Sequence, residues 1–470
     1  MNQALARWAV PVIALTLTLT ASGGAGASTG ATSSAPPAAH TVPHTALPQG
    51  LAPATTLRTA PLAPGRTCSP VSPAARAAAS DAVTACVSVA AGSAGDTALR
   101  TETAPRKLVA TDAAPASEEP GDDDWVDPGT DPEFEPDTDD PEPPPPSCKV
   151  TDPGKWSWSR TGGMCLNGAE ITYTLYDQSG KTIGTGLIQV NSTLATSYKS
   201  LDLTESINAK VVRVTGDVTG LIVKMQVGCG AGCKTVKKEP WYTNTPLTEG
   251  KEIKGTVKYS GDAFAAGSTR SSFQTSYSAY VTMPGAAPTD PSASWSSPVG
   301  AKIRCDTEQP VLRGCVIPTD DLPVLTYSRS HPKYGIVVPA YEEIMRRRGT
   351  DVLHSVNKAK AAVNRAATCA PFTNLYPGKK NADTCDEFPP ASTAEGGQDQ
   401  SLCAELTPKV DNGVWSAPAT WPERPATGAE TCMRLHVTGR ANYSAGGVLG
   451  SLRKYQRIVD GDPFRIEFTA

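Results

Sequence analysis

Apolar and polar residues alternate with period two in several segments in the middle of the chain. The clearest are residues 171–176, 210–214 and 221–227, which are also rich in β-branched residues. Turn-forming stretches such as residues 177–180 separate them. Short alternating segments of this kind are typical of antiparallel strands with one buried face. The pattern therefore predicts an all-β, sandwich-like domain over residues 148–310.

After residue 320 the apolar residues take up helical spacing. A helix is predicted from Pro339 to Arg348, with its apolar residues on one face and Gly349 at its end. A second helix is predicted over residues 351–367, where one apolar stripe is formed by Val352, Val356, Ala359 and Val363.

Two strands and a third helix complete the pattern. Alternation predicts strands over residues 433–437 and 464–468. Asn442 precedes a glycine-rich helical segment, where an N-cap residue is expected. Residues 320–470 are therefore predicted to form an α+β domain.

The N-terminal third has a different composition. Residues 1–27 combine one positive charge, a short apolar run and small residues, which predicts a secretory signal peptide. The alternative is a transmembrane helix, but the run is too short for a bilayer core of about 30 Å. Residues 28–147 are predicted to be a disordered leader rich in Ala, Pro and Thr, in which residues 112–142 carry fourteen acidic and no basic residues. We therefore expect a secreted, extracellular protein.

The chain contains twelve cysteines, and an even number in an exported chain indicates disulfides. Pairing of nearest neighbours is predicted, because each pair then falls within one compositional block. Zinc binding is the alternative. Cys229 and Cys233 resemble half of a zinc site, but no second half follows. The candidate disulfide residues are Cys68, Cys86, Cys148, Cys165, Cys229, Cys233, Cys305, Cys315, Cys369, Cys385, Cys403 and Cys432.

The predicted β domain has no recognisable catalytic motif and no histidine. Its tryptophans Trp156, Trp158 and Trp241 allow two interpretations. They form a face for a sugar or another cell-surface ligand, or they pack a small β core, which is the favoured interpretation. The sequence is compatible with a surface-binding module, but it does not indicate what such a module would bind.

The segment from Cys385 to Gly397 holds the candidate chemistry. Asp386 and Glu387 precede an aromatic residue and two prolines, and Glu395 precedes two glycines. Carboxylates held near one another suit a hard divalent cation, and one of them can serve as a general base. On composition alone, an acidic surface turn is the favoured interpretation.

Three sequence features together resemble the NucA/NucB deoxyribonuclease family. They are Cys385-Asp-Glu-Phe-Pro-Pro-Ala-Ser-Thr393, the following Glu395-Gly-Gly397, and Asn442 before its helix. The resemblance covers residues 325–470, and the Asp-Gly-Asp-Pro-Phe464 segment looks actinobacterial. It implies a secreted enzyme with a DNA substrate and a divalent metal ion, Mg²⁺ or Mn²⁺. It also implies a ββα-metal-like fold, in which two strands and a helix frame one ion.

The resemblance also implies roles for individual residues. Asp386 matches the general base, and Glu387 assists it or binds the metal through water. Glu395 and Asn442 match metal ligands. Contacts to the scissile phosphate are our own assignment, and the candidates are Arg434, His436 and Arg453. Some members of the family have an arginine where Cys385 stands here, so the cation that stabilises the phosphate is unassigned.

Other functional classes fit less well. A serine hydrolase is disfavoured because G-x-S-x-G is absent, and a zinc protease because H-E-x-x-H is absent. Residues 325–470 carry 18 basic and 15 acidic residues, which is only mildly cationic. The favoured prediction is a secreted, metal-dependent endonuclease that is a monomer without a membrane span. The alternative is a non-enzymatic protein that binds cell wall or carbohydrate.

Overall fold

The computed structural model describes residues 58–63, 68, 83–91, 153–308, 312–379, 382–416 and 427–470. The predicted signal peptide, most of the predicted leader and Cys148 lie outside these residues. None of the helices in the described ranges is long and apolar enough to cross a membrane.

The first fifteen strands form a unit that we call the β module. They are β1 Arg58–Pro61, β2 Thr84–Ala91, β3 Lys155–Ser159, β4 Gly163–Tyr176, β5 Thr182–Ala195, β6 Asp202–Gly216, β7 Ile222–Cys229, β8 Lys234–Lys237, β9 Glu252–Ser260, β10 Arg270–Phe273, β11 Thr275–Thr282, β12 Ala287–Asp290, β13 Ser292–Ser296, β14 Ile303–Asp306 and β15 Gly314–Val316.

The β module is built from one large and two small sheets. The large sheet has the order β1-β3-β4-β5-β6-β9-β8, with β2 beside β4 and β12 parallel to β2. The small sheets have the orders β13-β11-β7 and β10-β14-β15. Alternate residues of the strands point into one apolar core. An all-β domain therefore precedes the C-terminal domain, as the alternation predicts.

The tryptophans of the β module pack its core. Trp156, Trp158 and Trp241 are 1%, 7% and 8% exposed, and all three belong to the same apolar cluster. The core-packing interpretation of these residues is confirmed.

Two segments of the predicted disordered leader are strands. Arg58–Pro61 pairs with β3, and Thr84–Ala91 pairs with β4 over its whole length. The second segment buries Val87 and Val89 against the core. Composition does not reveal these strands, because the region is rich in Ala, Ser and Thr, and small residues are also common in linkers.

The C-terminal domain contains eight strands and three α-helices within the described residues. They are β16 Val324–Ser328, α1 Val338–Arg348, β17 Val352–His354, α2 Lys358–Cys369, β18 Thr384–Phe388, β19 Ala404–Leu406, β20 Lys409–Asp411, β21 Val414–Ser416, β22 Met433–Val437, α3 Gly439–Tyr455 and β23 Pro463–Thr469. The sheets have the orders β16-β23-β17, β18-β22-β19 and β20-β21. Helices α1 and α3 pack their apolar faces into a second core between the first two of these sheets.

The predicted helices are correct in part. Helix α1 and its left-handed end at Gly349 agree with the prediction. The predicted second helix is wrong over about its first two turns, because Val352–His354 is a strand and Asn357 caps α2. The predicted apolar stripe is also wrong, since Val363 is 60% exposed and the buried residues of α2 are Asn364 and Thr368.

The described cysteines form five disulfides between nearest neighbours. The pairs are Cys68–Cys86, Cys229–Cys233, Cys305–Cys315, Cys369–Cys385 and Cys403–Cys432. The predicted pairing is confirmed for these ten residues, and the zinc alternative at Cys229 and Cys233 is excluded because both sulfurs are oxidised.

Candidate functional site

The Asp386–Glu387 pair lies on β18, at the edge of a three-stranded sheet. Asp386 is opposite Leu435 and Glu387 is opposite Arg434 in the antiparallel register with β22. Successive side chains of a strand point to opposite faces. The two carboxylates are therefore neighbours in sequence that face different surroundings.

Asp386 faces the apolar core and helix α1. It is 6% exposed, and its Oδ2 accepts a hydrogen bond of 2.5 Å from the Tyr341 hydroxyl. The Tyr341 ring stacks on Phe388 at 4.3 Å between centroids, which holds the hydroxyl in place. Burial, together with the charge of Glu387, raises the pKa of Asp386 to about 8, although Tyr341 and Arg365 act in the opposite direction. Asp386 therefore has the properties of a base that works near neutral pH.

Glu387 points to the other face, which helix α2 covers. Its Oε1 accepts a hydrogen bond of 3.2 Å from Arg365 Nε, and the side chain is buried. Burial raises the pKa of Glu387, and the charge and hydrogen bond of Arg365 act in the opposite direction. The Cys369–Cys385 disulfide joins α2 to β18 one helical turn beyond Arg365. This disulfide therefore holds Arg365 over the strand. The Arg365 side chain is 67% exposed to solvent.

Close packing against α2 positions the loop that follows β18. Asn364 Nδ2 donates to the carbonyl oxygens of Ala391 and Thr393, both at 2.9 Å. A Cβ atom at Gly397 would come within 2.4 Å of Asn364 Oδ1, and φ of Gly397 is +73°. Glycine is required there because the loop backbone and the helix leave no space for a side chain.

Glu395 extends from this loop to β17. Its Oε1 lies 2.8 Å from His354 Nδ1, and its Oε2 accepts from the His354 backbone N–H at 2.9 Å. No hydrogen bond joins Glu395 to Asp386, Glu387 or Asn442 within the described ranges. Both Glu395 oxygens retain further lone pairs, so the carboxylate can still accept a metal ion.

Asn442 lies inside helix α3 and contacts the edge of β18. Its Nδ2 donates to Cys385 O at 2.9 Å and to Thr384 Oγ1 at 3.2 Å. Its predicted capping position is wrong: Thr438 is the N-cap residue of α3 and accepts from the backbone N–H of Ala441. The helix begins earlier than the glycine-rich segment suggests. Because the amide nitrogen is held by the strand, the amide oxygen remains as a potential ligand.

Arg434 and His436 belong to a buried network with two carboxylates. His436 Nδ1 lies 2.9 Å from Asp383 Oδ2, and its Nε2 lies 3.0 Å from Glu405 Oε1. Arg434 Nη2 donates to the same Glu405 oxygen at 2.8 Å. Burial alone would raise the pKa of Glu405, but the hydrogen bonds from Arg434 and His436 lower it.

This enclosure limits what the network residues can contact. Arg434 and His436 are each 3% exposed, which favours a role in holding the sheet together. Arg453, on α3, donates to the Val356 carbonyl at 3.0 Å and so supports the segment after β17. The phosphate role of all three residues stays a prediction.

Within the described parts of the chain, one group of three potential metal ligands comes together: Cys369, Cys385 and Glu387. The two sulfurs are oxidised to a disulfide and cannot act as thiolate ligands. Of this group, only the Glu387 carboxylate can then act as a metal ligand. Carboxylate and amide oxygens completed by water are suitable ligands for Mg²⁺.

The sequence does not indicate five partners of the predicted site residues: Tyr341, His354, Arg365, Asp383 and Glu405. For Arg365, a sequence signal does exist. Nearest-neighbour pairing of Cys369 and Cys385 brings α2 onto β18, and Arg365 lies one helical turn before Cys369. The others depend on register and packing between distant segments.

No curated protein matches the chain. Residues 337–414 match the family model described as Deoxyribonuclease NucA/NucB. This segment includes α1, α2, β18 and the loop with Glu395, whereas Asn442 and the residues of β22 follow it. The C-terminal domain thus carries the NucA/NucB deoxyribonuclease signature that its Asp-Glu strand and glycine-rich loop suggest.

Proposed function

We propose that the protein is an exported, metal-dependent endonuclease that hydrolyses DNA phosphodiester bonds. The observation that carries this proposal is the buried Asp386 carboxylate on β18, inside the segment that matches the nuclease family. Its raised pKa lets it take a proton from water at neutral to mildly alkaline pH. The disulfides suit an oxidising compartment outside the cytoplasm.

In this proposal Asp386 is the general base. Tyr341 occupies Oδ2, so Oδ1 is the atom that accepts the proton of the attacking water. The Tyr341 hydrogen bond fixes the orientation of the carboxylate and favours its ionised form. Glu387 has a positioning role, because it anchors Arg365 from the opposite face of the strand.

Arg365 is the cation that we propose for the scissile phosphate. One nitrogen, Nε, is anchored on Glu387, which leaves the two terminal amino groups of an exposed guanidinium directed to solvent. A planar fork of N–H donors matches two phosphate oxygens. Its charge also lowers the pKa of Asp386, which points to the opposite face of the same strand. This assignment supplies the cation that Cys385 does not provide.

Glu395 and Asn442 are proposed as ligands of Mg²⁺ or Mn²⁺. Such an ion would neutralise the non-bridging phosphate oxygens and stabilise the leaving oxygen. Strands β18 and β22 and helix α3, which is tied to β18 by Asn442, would then be the ββα unit around the ion. The chain's own contribution is to hold Asn442 against the strand and Glu395 beside His354.

The test uses the full mature chain, because Arg457, which follows α3, is fully buried and bonded to Asp306 of the β module. Purified protein is incubated with supercoiled plasmid, with Mg²⁺ or Mn²⁺ and with EDTA, beside the Asp386→Ala variant. We expect nicking that requires both the metal and Asp386. If the folded wild-type protein leaves the plasmid intact with every divalent metal tried, the nuclease proposal is wrong. If Asp386→Ala cleaves at the wild-type rate, the base is another residue.

A further inference from the structure

Helix α3 ends in a turn, residues 456–462, with an unusual residue at its second position. The backbone N–H of Ile458 donates to the Arg453 carbonyl oxygen at 2.9 Å, and that of Arg457 donates to the Lys454 carbonyl oxygen at 3.4 Å. These two hydrogen bonds form the Schellman motif, in which the residue after the C-cap is left-handed and usually glycine. Here that residue is Arg457, with φ of +45°. Because a side chain is unfavourable at such a φ, its presence points to a role for the guanidinium group.

The Arg457 guanidinium lies in the β module. It donates to both carboxylate oxygens of Asp306, from Nε to Oδ2 at 3.1 Å. Its Nη1 donates to the carbonyl oxygens of Tyr198 at 2.6 Å and of Leu312 at 3.3 Å. Arg457 and Asp306 are each 0% exposed. Breaking a buried ion pair from one side is strongly destabilising, so this contact fixes where the turn after α3 lies against the β module.

The β module also donates to carbonyl groups at the end of α3. Arg160 Nε donates to the Gln456 carbonyl oxygen at 2.8 Å, and Arg304 Nη2 donates to the Arg457 carbonyl oxygen at 2.6 Å. Carbonyl groups at the end of a helix lack partners within the helix and carry partial negative charge, which suits arginine as a donor. Arginines of one domain therefore complete the helix end of the other.

The far side of the same turn holds the residues between β17 and α2. The Asp462 carbonyl oxygen accepts from the backbone N–H of Ser355 at 2.9 Å, and the backbone N–H of Gly461 donates to the Ser355 carbonyl oxygen at 2.8 Å. The Asp460 carboxylate accepts from the backbone N–H of Asn357 at 3.0 Å and from its Nδ2 at 3.2 Å. Asn357 is the N-cap residue of α2. The turn therefore fixes the start of this helix.

The residues between β17 and α2 hold, in turn, the loop that carries Glu395. The backbone N–H of Val356 donates to the Ser392 carbonyl oxygen at 3.0 Å, and that of Ala394 donates to the His354 carbonyl oxygen at 2.8 Å. His354 also contacts both carboxylate oxygens of Glu395. Hydrogen bonds thus connect the β module to Glu395 through two segments, the turn after α3 and the residues that follow β17.

We propose that the β module positions the candidate site, and that Arg457 is the positioning residue through which it acts. With Arg457 bound to the β module, the turn after α3 holds the Glu395 loop and the start of α2 in fixed places. Supporting contacts of this kind determine how precisely the groups of a site are held. The effect on the loop is a property of the fold. Its effect on cleavage rests on the proposed function, in which Glu395 is a metal ligand and Arg365 contacts the phosphate.

The first test is hydrogen–deuterium exchange on the full mature protein in EDTA. Arg457→Gly combined with Asp306→Asn removes the contact without leaving a buried charge, and glycine suits the left-handed position. We expect exchange in residues 352–358 and 390–397 to become about tenfold faster, as for the loss of one net hydrogen bond. Exchange in α1, which lies outside this path, should stay as in the wild type. Exchange that rises equally in α1 would mean a general loss of stability and would overturn the proposal.

Asp460 variants break the path at its next step. Asp460 is exposed, and Asp460→Ala removes both acceptors of Asn357 while Arg457 stays bound. Exchange should rise in the same two segments, and Asp460→Asn, which keeps one acceptor oxygen, should restore part of the protection. Asp411→Ala, at an exposed position of the β20–β21 hairpin, is the matched control. The proposal is overturned if the double variant, or Asp460→Ala should the double variant not fold, exchanges as the wild type does.

Cleavage measurements separate this proposal from the nuclease proposal. If the protein cleaves plasmid, Asp460→Ala and the double variant should lower kcat by up to about 10²-fold with a smaller change in KM, because the site is less precisely held. Asp411→Ala should cleave at the wild-type rate. Faster exchange with unchanged kcat would overturn the role of the β module in the reaction. If the wild type does not cleave at all, the nuclease proposal is wrong, and the exchange measurement still decides whether Arg457 positions the loop.

Discussion

The Tyr341 hydroxyl donates to Asp386 Oδ2 across 2.5 Å, and this hydrogen bond joins helix α1 to the edge strand β18. It favours the ionised form of a carboxylate whose pKa is otherwise raised by burial. Tyr341→Phe keeps the ring against Phe388 but removes the donor, so the pKa of Asp386 should rise further. We expect cleavage to fall at pH 7 and to recover at higher pH, measured as kcat/KM against pH. An unchanged pH profile would show that Tyr341 does not tune the base.

Asp386→Asn should separate activity from stability. The folded pKa of about 8 lies above the usual value of 3.8, so between these values the unfolded chain releases a proton that the folded chain keeps. The wild type therefore loses stability as pH rises from 4 to 8, whereas the neutral amide does not. In EDTA, the variant should be the more stable protein at pH 8 by thermal unfolding, with the difference vanishing near pH 4. Its cleavage rate should fall about 10²–10⁴-fold. A variant less stable than wild type at pH 8 would contradict the raised pKa.

Arg365 should be required for cleavage but not for folding. Its side chain is exposed, and Glu387, whose pKa burial raises, can take up a proton when its partner is lost, so Arg365→Ala should lower the unfolding temperature only modestly. The same variant should reduce kcat/KM by about 10²-fold or more, as expected for loss of a donor to the developing charge. Arg365→Lys should recover only part of this, because an ammonium group lacks the planar fork. Lys360→Ala, on the exposed surface of the same helix, serves as the control. Full activity of Arg365→Ala would remove this residue from the site.

Arg434→Met should destabilise the C-terminal domain. It leaves Glu405, which is 1% exposed, without its guanidinium partner, and removing one partner of a buried ion pair costs about 3–5 kcal/mol. Urea unfolding measures this loss, with Arg440→Met at an exposed position of α3 as control. The same variant tests the phosphate prediction. If Arg434 is structural, the fraction that remains folded at low temperature should keep wild-type KM and kcat; a large loss of kcat in folded protein would instead support contact with substrate.

Replacing Cys369 and Cys385 with alanine should weaken both stability and cleavage. The disulfide closes a loop over a sequence separation of 16, for which the chain-entropy account gives about 3 kcal/mol. Without the disulfide, α2 is no longer covalently joined to β18, so Arg365 loses its fixed position over Glu387. The alanine pair at Cys229 and Cys233, in the β module, should reduce stability less and leave cleavage intact. If both double-alanine variants lose the same amount of cleavage activity, the Cys369–Cys385 disulfide has no local role at the site.

Local patterns in the sequence determined much of this protein. Period-two alternation predicts the β module, and the apolar face of α1 and its glycine end follow from helical spacing. The Asp386–Glu387 segment and the pairing of Cys369 with Cys385 were also predictable, because order along the chain is enough to indicate them. The strand at 84–91 was missed because its small residues resemble a linker, and the first turn of the predicted second helix is a strand because β23 pairs with it.

Only the tertiary structure decided the surroundings of each side chain. Asp386 and Glu387 are adjacent on β18, but Asp386 contacts Tyr341 and Glu387 contacts Arg365. The two side chains separate because the strand is pleated and a different helix covers each face. The sequence places Arg434 and His436 on one face of a strand, and the register with β18 and β19 decides that this face lies between carboxylates. The buried pair of Arg457 and Asp306 likewise joins residues far apart in the chain. Burial and pairing set the charge and reactivity of an ionisable group, and both arise from segments that meet only when the chain folds.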